Sequence, residues 1–152
     1  MTRLEFLKIA SEKLKLIRVE RGYTQDKMAE ILGISKKTLV QIEKDRSTLG
    51  WAGAVTLCTI FKNSAVLEMT FGGDPQDIIL SLAFTDYESN EITMGGKVWW
   101  NNIKISDEFR IQQNIISGHY RILNGQDRRI SSSFDYDYIK KRLQELSDDG
   151  GG

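Results

Sequence analysis

One cysteine and one histidine in 152 residues leave no means of forming an internal disulfide or a zinc site of the usual Cys/His kind. No apolar run approaches the roughly 20 residues that a membrane-spanning helix needs. The first residues, MTRLEFLKIASEKLK, put charge between the apolar pairs, a pattern unlike a signal peptide. The expectation is a cytoplasmic protein with no membrane association. No nucleophile, acid–base pair or glycine-rich loop forms a catalytic set, so neither an enzyme activity nor a cofactor is expected. The length suits one compact domain or two small ones, and 40% hydrophobic residues can bury a core.

The formal net charge is zero, but it is unevenly distributed. Residues 1–62 carry 12 Lys/Arg against 7 Asp/Glu, a net of +5, which leaves −5 for residues 63–152. Opposite halves point to two jobs, with the basic half the better candidate for an anionic partner.

Apolar spacing and end signals divide the chain further. Residues 3–21 have a helical repeat through Leu4, Leu7, Leu14 and Ile17, closed by Gly22. Thr24 caps a second helix over Gln25–Leu32, and Gly33-Ile34 makes a tight turn. Ser35 caps a third helix, about Lys36–Lys44, with Leu39 and Ile42 inward. Ser47 or Thr48 is placed to cap a fourth, running to about Phe61 and burying Val55, Leu57, Cys58 and Phe61. A fifth runs from Ala65 to Phe71 and stops at Gly72-Gly73. Asp74-Pro75-Gln76-Asp77 restarts a helix to Phe84, and Thr85–Asn90 reads as a linker.

Beyond it the texture is β, over Glu91–Met94, Lys97–Trp100, Phe109–Asn114 and His119–Leu123. Asn124-Gly125 predicts a hairpin pairing His119–Leu123 with Arg128–Ser132. A last helix capped by Asp135 or Asp137 presents Ile139, Leu143 and Leu146, and residues 148–152 read as a disordered tail. The expected fold is an all-α N-terminal domain of about five helices over residues 1–72. A connecting helix and linker (73–90) lead to a small α+β domain with an antiparallel sheet and a final helix (91–147).

The segment Leu16–Asp45 reads LIRVERGYTQDKMAEILGISKKTLVQIEKD. Through Arg18, Gly22, Thr24-Gln25, Ala29, Gly33, Ile34, Ser35, Leu39, Ile42 and Glu43 it resembles the helix-turn-helix of the Xre/Cro family, the phage-repressor-like DNA-binding domains. The resemblance covers about residues 11–72. Its register has a physical basis, since a small Ala29 lets two helices cross closely and Gly33 supplies a positive φ for the turn. Leu39 and Ile42 then anchor the third helix and turn Lys36, Lys37, Val40, Gln41 and Lys44 outward, a helix sized for the major groove.

The resemblance implies positions and the chemistry implies roles. Lys36 and Lys37 suit guanine O6/N7 or phosphate, and Gln41 suits a bidentate pair with adenine. Gln25, Ser35, Thr38, Lys44 and Arg46 suit phosphate contacts. Arg18 and Glu43 are placed as a structural ion pair tying the first helix to the third. Two departures stand out, Asp45 where the family usually has glycine and Met28 where it usually has leucine. The first helix also begins early, and Leu4, Phe6, Leu7 and Ile9 offer a face for the C-terminal domain or a second subunit.

Residues 85–147 carry no family resemblance that their motifs reveal. Trp99-Trp100, as neighbours on a strand, would point to opposite faces, so at most one could line a pocket. His119 is assigned to structure, Asp135 and Asp137 to capping, and Arg128-Arg129 to solvation ahead of a winglike DNA contact. Dimerisation, a small effector or a protein partner are the jobs left for this half. A single recognition helix reads too few base pairs, so a homodimer on a palindromic double-stranded operator is expected. The leading reading is a sequence-specific transcriptional regulator, acting as a repressor. The alternative is a protein-interaction module, an antitoxin or phage inhibitor, that retains the helix-turn-helix frame.

Overall fold

The computed structural model describes residues 1–84, 87–92, 98–106 and 108–150. Its elements are α1 (Arg3–Glu20), α2 (Gln25–Leu32), α3 (Lys36–Glu43), α4 (Trp51–Ile60), α5 (Ala65–Phe71) and α6 (Gln76–Ala83), then β1 (Tyr87–Ile92), β2 (Trp100–Ile105), β3 (Phe109–Asn114), β4 (Tyr120–Asn124), β5 (Arg128–Ser133) and α7 (Tyr136–Gly150). The chain divides into two compact units, Thr2–Gln76 and the residues from Asp77 onward. A helical N-terminal region followed by an antiparallel sheet and a final helix is therefore the architecture.

In the first unit α1 is the long element on which the short ones assemble. It starts with a capping box between Thr2 and Glu5, and its Phe6, Ala10, Leu14 and Ile17 form one buried stripe. Phe6 meets Trp51 and Phe71 at ring-centroid distances of 5.8 and 5.5 Å. It thus belongs to the core of its own unit, whereas Leu4 is exposed and Leu7 and Ile9 are half-buried. The ends of α1, α2 and α3 share one solution. The chain turns left-handed just past each helix, at Gly22 (φ 69°), Gly33 (φ 72°) and Asp45 (φ 57°). The next amide then reaches back to the Arg18, Ala29 and Gln41 carbonyls. Asp45 takes the glycine position because its short polar side chain tolerates this region better than most.

The fourth helix departs from expectation. Its N-cap is Gly50, with no side-chain cap, instead of Ser47 or Thr48. Leu49 is buried and its amide donates to Ser11 Oγ at 2.9 Å, so the chain stays non-helical until that side chain is seated. Starting at Trp51 turns Ala54, Leu57 and Cys58 inward and leaves Val55 only half-buried.

The second unit holds a five-stranded antiparallel sheet ordered β1-β5-β4-β3-β2 among the described residues. β1 starts at Tyr87, inside the stretch expected to be a linker. Glu91 and Ile92 lie in β1, while Met94 of that predicted strand and Lys97 of the next lie outside the described residues. β2 starts at Trp100 because its hairpin with β3 sets Trp100 opposite Asn114, the last residue of β3. Val98 and Trp99 lie in the preceding turn, so the two tryptophans are not strand neighbours. β4 and β5 pair as expected, but the left-handed residue of their turn is Asp127 (φ 59°) and not Gly125. Asn124 holds this loop by accepting from the Gln126 and Arg128 amides at 2.9 and 3.0 Å.

One sheet face is apolar. Ile111 and Ile122, paired across β3 and β4, pack against Ile139 and Leu143 of α7. Asp135 caps α7 by accepting from the Asp137 and Tyr138 amides. The helix continues to Gly150, through the first residues of the expected disordered tail. The neighbouring pair, Gln112 and Arg121, points to the opposite face because side chains alternate along each strand. That face is polar, and α6 is tied to its sheet by Asp77 Oδ1, which pairs with Arg129 Nη1. Arg129, expected to be solvated, is therefore buried, because its counter-ion comes from α6, far back along the chain.

His119 lies beside this pair, fully buried. Its Nδ1 shares a hydrogen bond with Ser117 Oγ, its ring meets Trp100 edge-on at 4.9 Å, and Nε2 lies 3.8 Å from Asp77 Oδ2. Burial and the nearby Arg121 charge push its pKa down to about 3. Asp77 does not reverse this, since Arg129 already neutralises it. The unfolded chain, with an ordinary value of about 6.5, binds the proton first, so stability falls as pH drops below about 6.5 towards 3. As this is the only histidine, its ring-proton NMR shift can be followed without assignment. We expect no titration in the folded protein down to about pH 5 and a midpoint near about 6.5 in urea. A folded midpoint above about 6 would refute this placement.

Candidate nucleic-acid interface

α2, the Gly33-Ile34 turn and α3 are held by their caps and by a narrow apolar seam. Thr24 Oγ1 accepts from the Lys27 amide at 3.1 Å, and Ser35 Oγ accepts from the Thr38 amide at 3.0 Å. Met28, Ala29 and Leu32 of α2 and Leu39 and Ile42 of α3 are buried. At about 100° per residue, Lys36, Lys37, Val40, Gln41 and Lys44 occupy the arc opposite Leu39 and Ile42. Lys36, Lys37 and Lys44 are exposed, whereas Val40, within that arc, and Gln41, at one edge of it, are half-buried. Arg46 follows on the exposed turn, and Thr38 and Ser35 are exposed at the start of α3.

The rotation of α3 is fixed at its far end. Arg18 Nε and Nη2 grip the Glu43 carboxylate, with the shortest contact at 2.7 Å, while Arg18 Nη1 donates to the Tyr23 carbonyl at 2.9 Å. Their side chains are 14% and 4% exposed, so this is a nearly buried, bidentate bond between α1 and α3.

Two details alter the face read from the sequence. Lys36 Nζ is engaged by Asp26 Oδ2 at 3.2 Å, across the turn between α2 and α3. Asp26 also sits in the first turn of α2, where a phosphate approaching Gln25 would otherwise meet the positive end of the helix. The second detail concerns the hydroxyls. Ser35 donates its proton to Thr38 Oγ1 at 2.8 Å, which leaves Thr38 as the one with a proton free to donate outward. Lys37, Lys44 and Arg46 have no ion-pair partner among the described residues. Sequence reading misses Asp26, because a contact between residues ten positions apart depends on the turn geometry and leaves no periodic signal.

Comparison with known proteins agrees with this geometry. Residues 11–69 match the family model of a helix-turn-helix domain. A protein of Pyrococcus horikoshii, provisionally named an HTH-type transcriptional regulatory protein, is 38% identical over 61 residues, covering 40% of this chain and 19% of that protein. The matched segment thus spans only about a fifth of that relative's length. No solved structure matches the chain. Residues 11–69 are therefore a helix-turn-helix domain, as the resemblance to the Xre/Cro family implies.

Removing one partner of the Arg18–Glu43 bond strands the other in a nearly dry site. Glu43→Ala should cost about 3 kcal/mol in urea unfolding. The paired change Arg18→Met with Glu43→Leu should recover most of that loss. A single-variant cost below about 1 kcal/mol would show that the pair contributes little.

Proposed function

We propose that this protein is a sequence-specific DNA-binding transcriptional regulator that places α3 in the major groove. The observation that carries the reading is the helix-turn-helix unit itself, whose third helix buries Leu39 and Ile42 while keeping cationic and amide side chains outward. Lys36, Lys37 and Gln41 are the base-reading residues, with Gln41 matched to adenine N6/N7. Gln25, Thr38, Lys44 and Arg46 contact phosphates, and Ser35 contributes through its cap on α3. Because one such helix reads only a few base pairs, the protein acts as a homodimer on a palindromic operator in the cytoplasm. Repression follows where the operator overlaps a promoter. Lys36, Lys37, Lys44 and Arg46 favour DNA over a protein partner, since a protein-binding face would carry more exposed apolar surface.

Selection of the protein against randomised DNA at about 150 mM salt tests this reading. An enriched palindrome with half-sites one helical turn apart is the expected result. Absence of enrichment would favour the protein-interaction module.

On the selected site, Gln41→Ala should relax preference at one base position at a cost of about 1–3 kcal/mol. Lys44→Ala and Arg46→Ala should instead weaken all sequences alike and lower the salt slope by about one. A uniform loss from Gln41→Ala would remove its base-reading role.

Asp26→Asn releases Lys36 and removes an anion from the phosphate path. It should tighten binding to non-specific DNA by about threefold to tenfold at low salt, and to the selected site by less, with the gain fading as salt rises. Weaker binding would place Asp26 among the groups that position Lys36 for its base.

A further inference from the structure

The polar face of the sheet, opposite α7, carries three buried or half-buried arginines, and they are not treated alike. Arg110 on β3 pairs with Asp127, and Arg129 on β5 pairs with Asp77. Arg121 on β4 is 5% exposed, yet among the described residues it has no carboxylate partner. An uncompensated guanidinium at that depth is unfavourable, and buried charges are ordinarily paired.

The side chain is nonetheless firmly oriented. Its guanidinium lies 3.8 Å from the centroid of the Trp100 ring, and Nε donates to Gln112 Oε1 at 2.9 Å. Gln112 is oriented in turn by Nε2 donating to Asn102 Oδ1 at 3.1 Å. This row of contacts across β4, β3 and β2 engages Nε alone and leaves the two terminal nitrogens without an acceptor among the described residues. Directly across from Arg121 on β5, Ser132 is fully buried and its Oγ has no hydrogen-bond partner among them. Two adjacent donor groups thus lack acceptors in the same stretch of sheet. Burial and the nearby Arg110 charge pull the Arg121 pKa down to about 10, and Asp127, already engaged by Arg110, offsets this only in part.

We propose that Arg121 and Ser132 form a binding site for a small oxyanion, a phosphate- or carboxylate-bearing molecule, on the sheet face opposite α7. Two anion oxygens take the terminal nitrogens of Arg121 side by side, the geometry in which a planar guanidinium binds best. The Ser132 hydroxyl donates to a third contact. Trp100 backs the guanidinium and Gln112 sets its plane, so the site is organised before the anion arrives. Such a site is independent of DNA binding and gives the second unit a ligand of stated chemistry.

The full-length protein without DNA is titrated with inorganic phosphate, and separately with citrate, at ionic strength held constant with chloride. Calorimetry and the thermal midpoint are the readouts. Saturable binding and a rise in midpoint are expected with at least one anion, and the stronger of the two identifies the source class. Arg121→Met should abolish both, with the midpoint in chloride set by the balance between removing an unpaired charge and stranding the Gln112 acceptor. Arg121→Lys, which keeps the charge but not the fork, should weaken binding by about tenfold or more. Ser132→Ala, a small change that preserves the strand, should weaken it several-fold and covers the case in which Arg121→Met fails to fold. No saturable binding of either anion by the unaltered protein, or undiminished binding by the Arg121→Lys and Ser132→Ala variants, overturns the proposal.

Discussion

The bidentate bond between Arg18 and Glu43 is the constraint on which the presentation of α3 depends. An eight-residue helix has little stability of its own in water, because nucleation costs more than so few hydrogen bonds return. Its orientation therefore comes from what holds it. Leu39 and Ile42 fix its depth, but two apolar anchors on one stripe still allow it to roll. Glu43, at its last turn, removes that freedom by fastening it to α1, and the same arginine binds the Tyr23 carbonyl just beyond the Gly22 turn. One side chain thus sets the end of α1, the entry to α2 and the roll of α3.

The second unit uses the same device at Arg129 and withholds it at Arg121 among the described residues. Asp77, in the first turn of α6, meets Arg129 on β5, so a charge that would be costly alone becomes an attachment between helix and sheet. His119 remains neutral beside it and fills space between Trp100 and Phe134. Arg121, on the same sheet face as Arg129, has Trp100 and Gln112 for neighbours but no acid among the described residues. What separates these two arginines is whether the chain supplies a counter-charge. That difference divides a structural bond from a site with capacity for a ligand.

Legibility from sequence follows the range of the interactions. The helical unit is readable because its signals are local: Thr24 and Ser35 as caps, Gly22 and Gly33 as left-handed turns, and Leu39 and Ile42 on one helical stripe. The start of α4 is not, because it is set by Leu49 reaching Ser11, 38 residues away. In the sheet, Phe109–Asn114 is legible from its composition, whereas β2 runs through Asn101 and Asn102, residues with little strand preference, and is placed by its register with β3. The candidate interface divides in the same way. Its outward residues follow from helical geometry, but the Asp26–Lys36 contact forms only once the turn has folded back. The burial of Arg129 likewise arises only when distant segments meet.

The Asp26–Lys36 contact bears on how a basic helix face can be selective. The Lys36 and Asp26 side chains are 55% and 73% exposed, and an ion pair so open to water is worth only about 0–1 kcal/mol. It is weak enough to be exchanged for a better acceptor, such as a guanine edge placed correctly for Lys36. A randomly placed phosphate gains less from the exchange, because it must displace Asp26 while meeting that acid's repulsion. Unspecific attraction rises with every free cation on the face, whereas specific binding depends on the few that meet bases. An acid on α2 therefore subtracts more from the first than from the second. In the proposed complex Lys37, Lys44 and Arg46, without ion-pair partners among the described residues, would supply the attraction that remains. On the proposed DNA-binding reading, one helix face thereby combines a modest general affinity with a cation released only against a fitting partner.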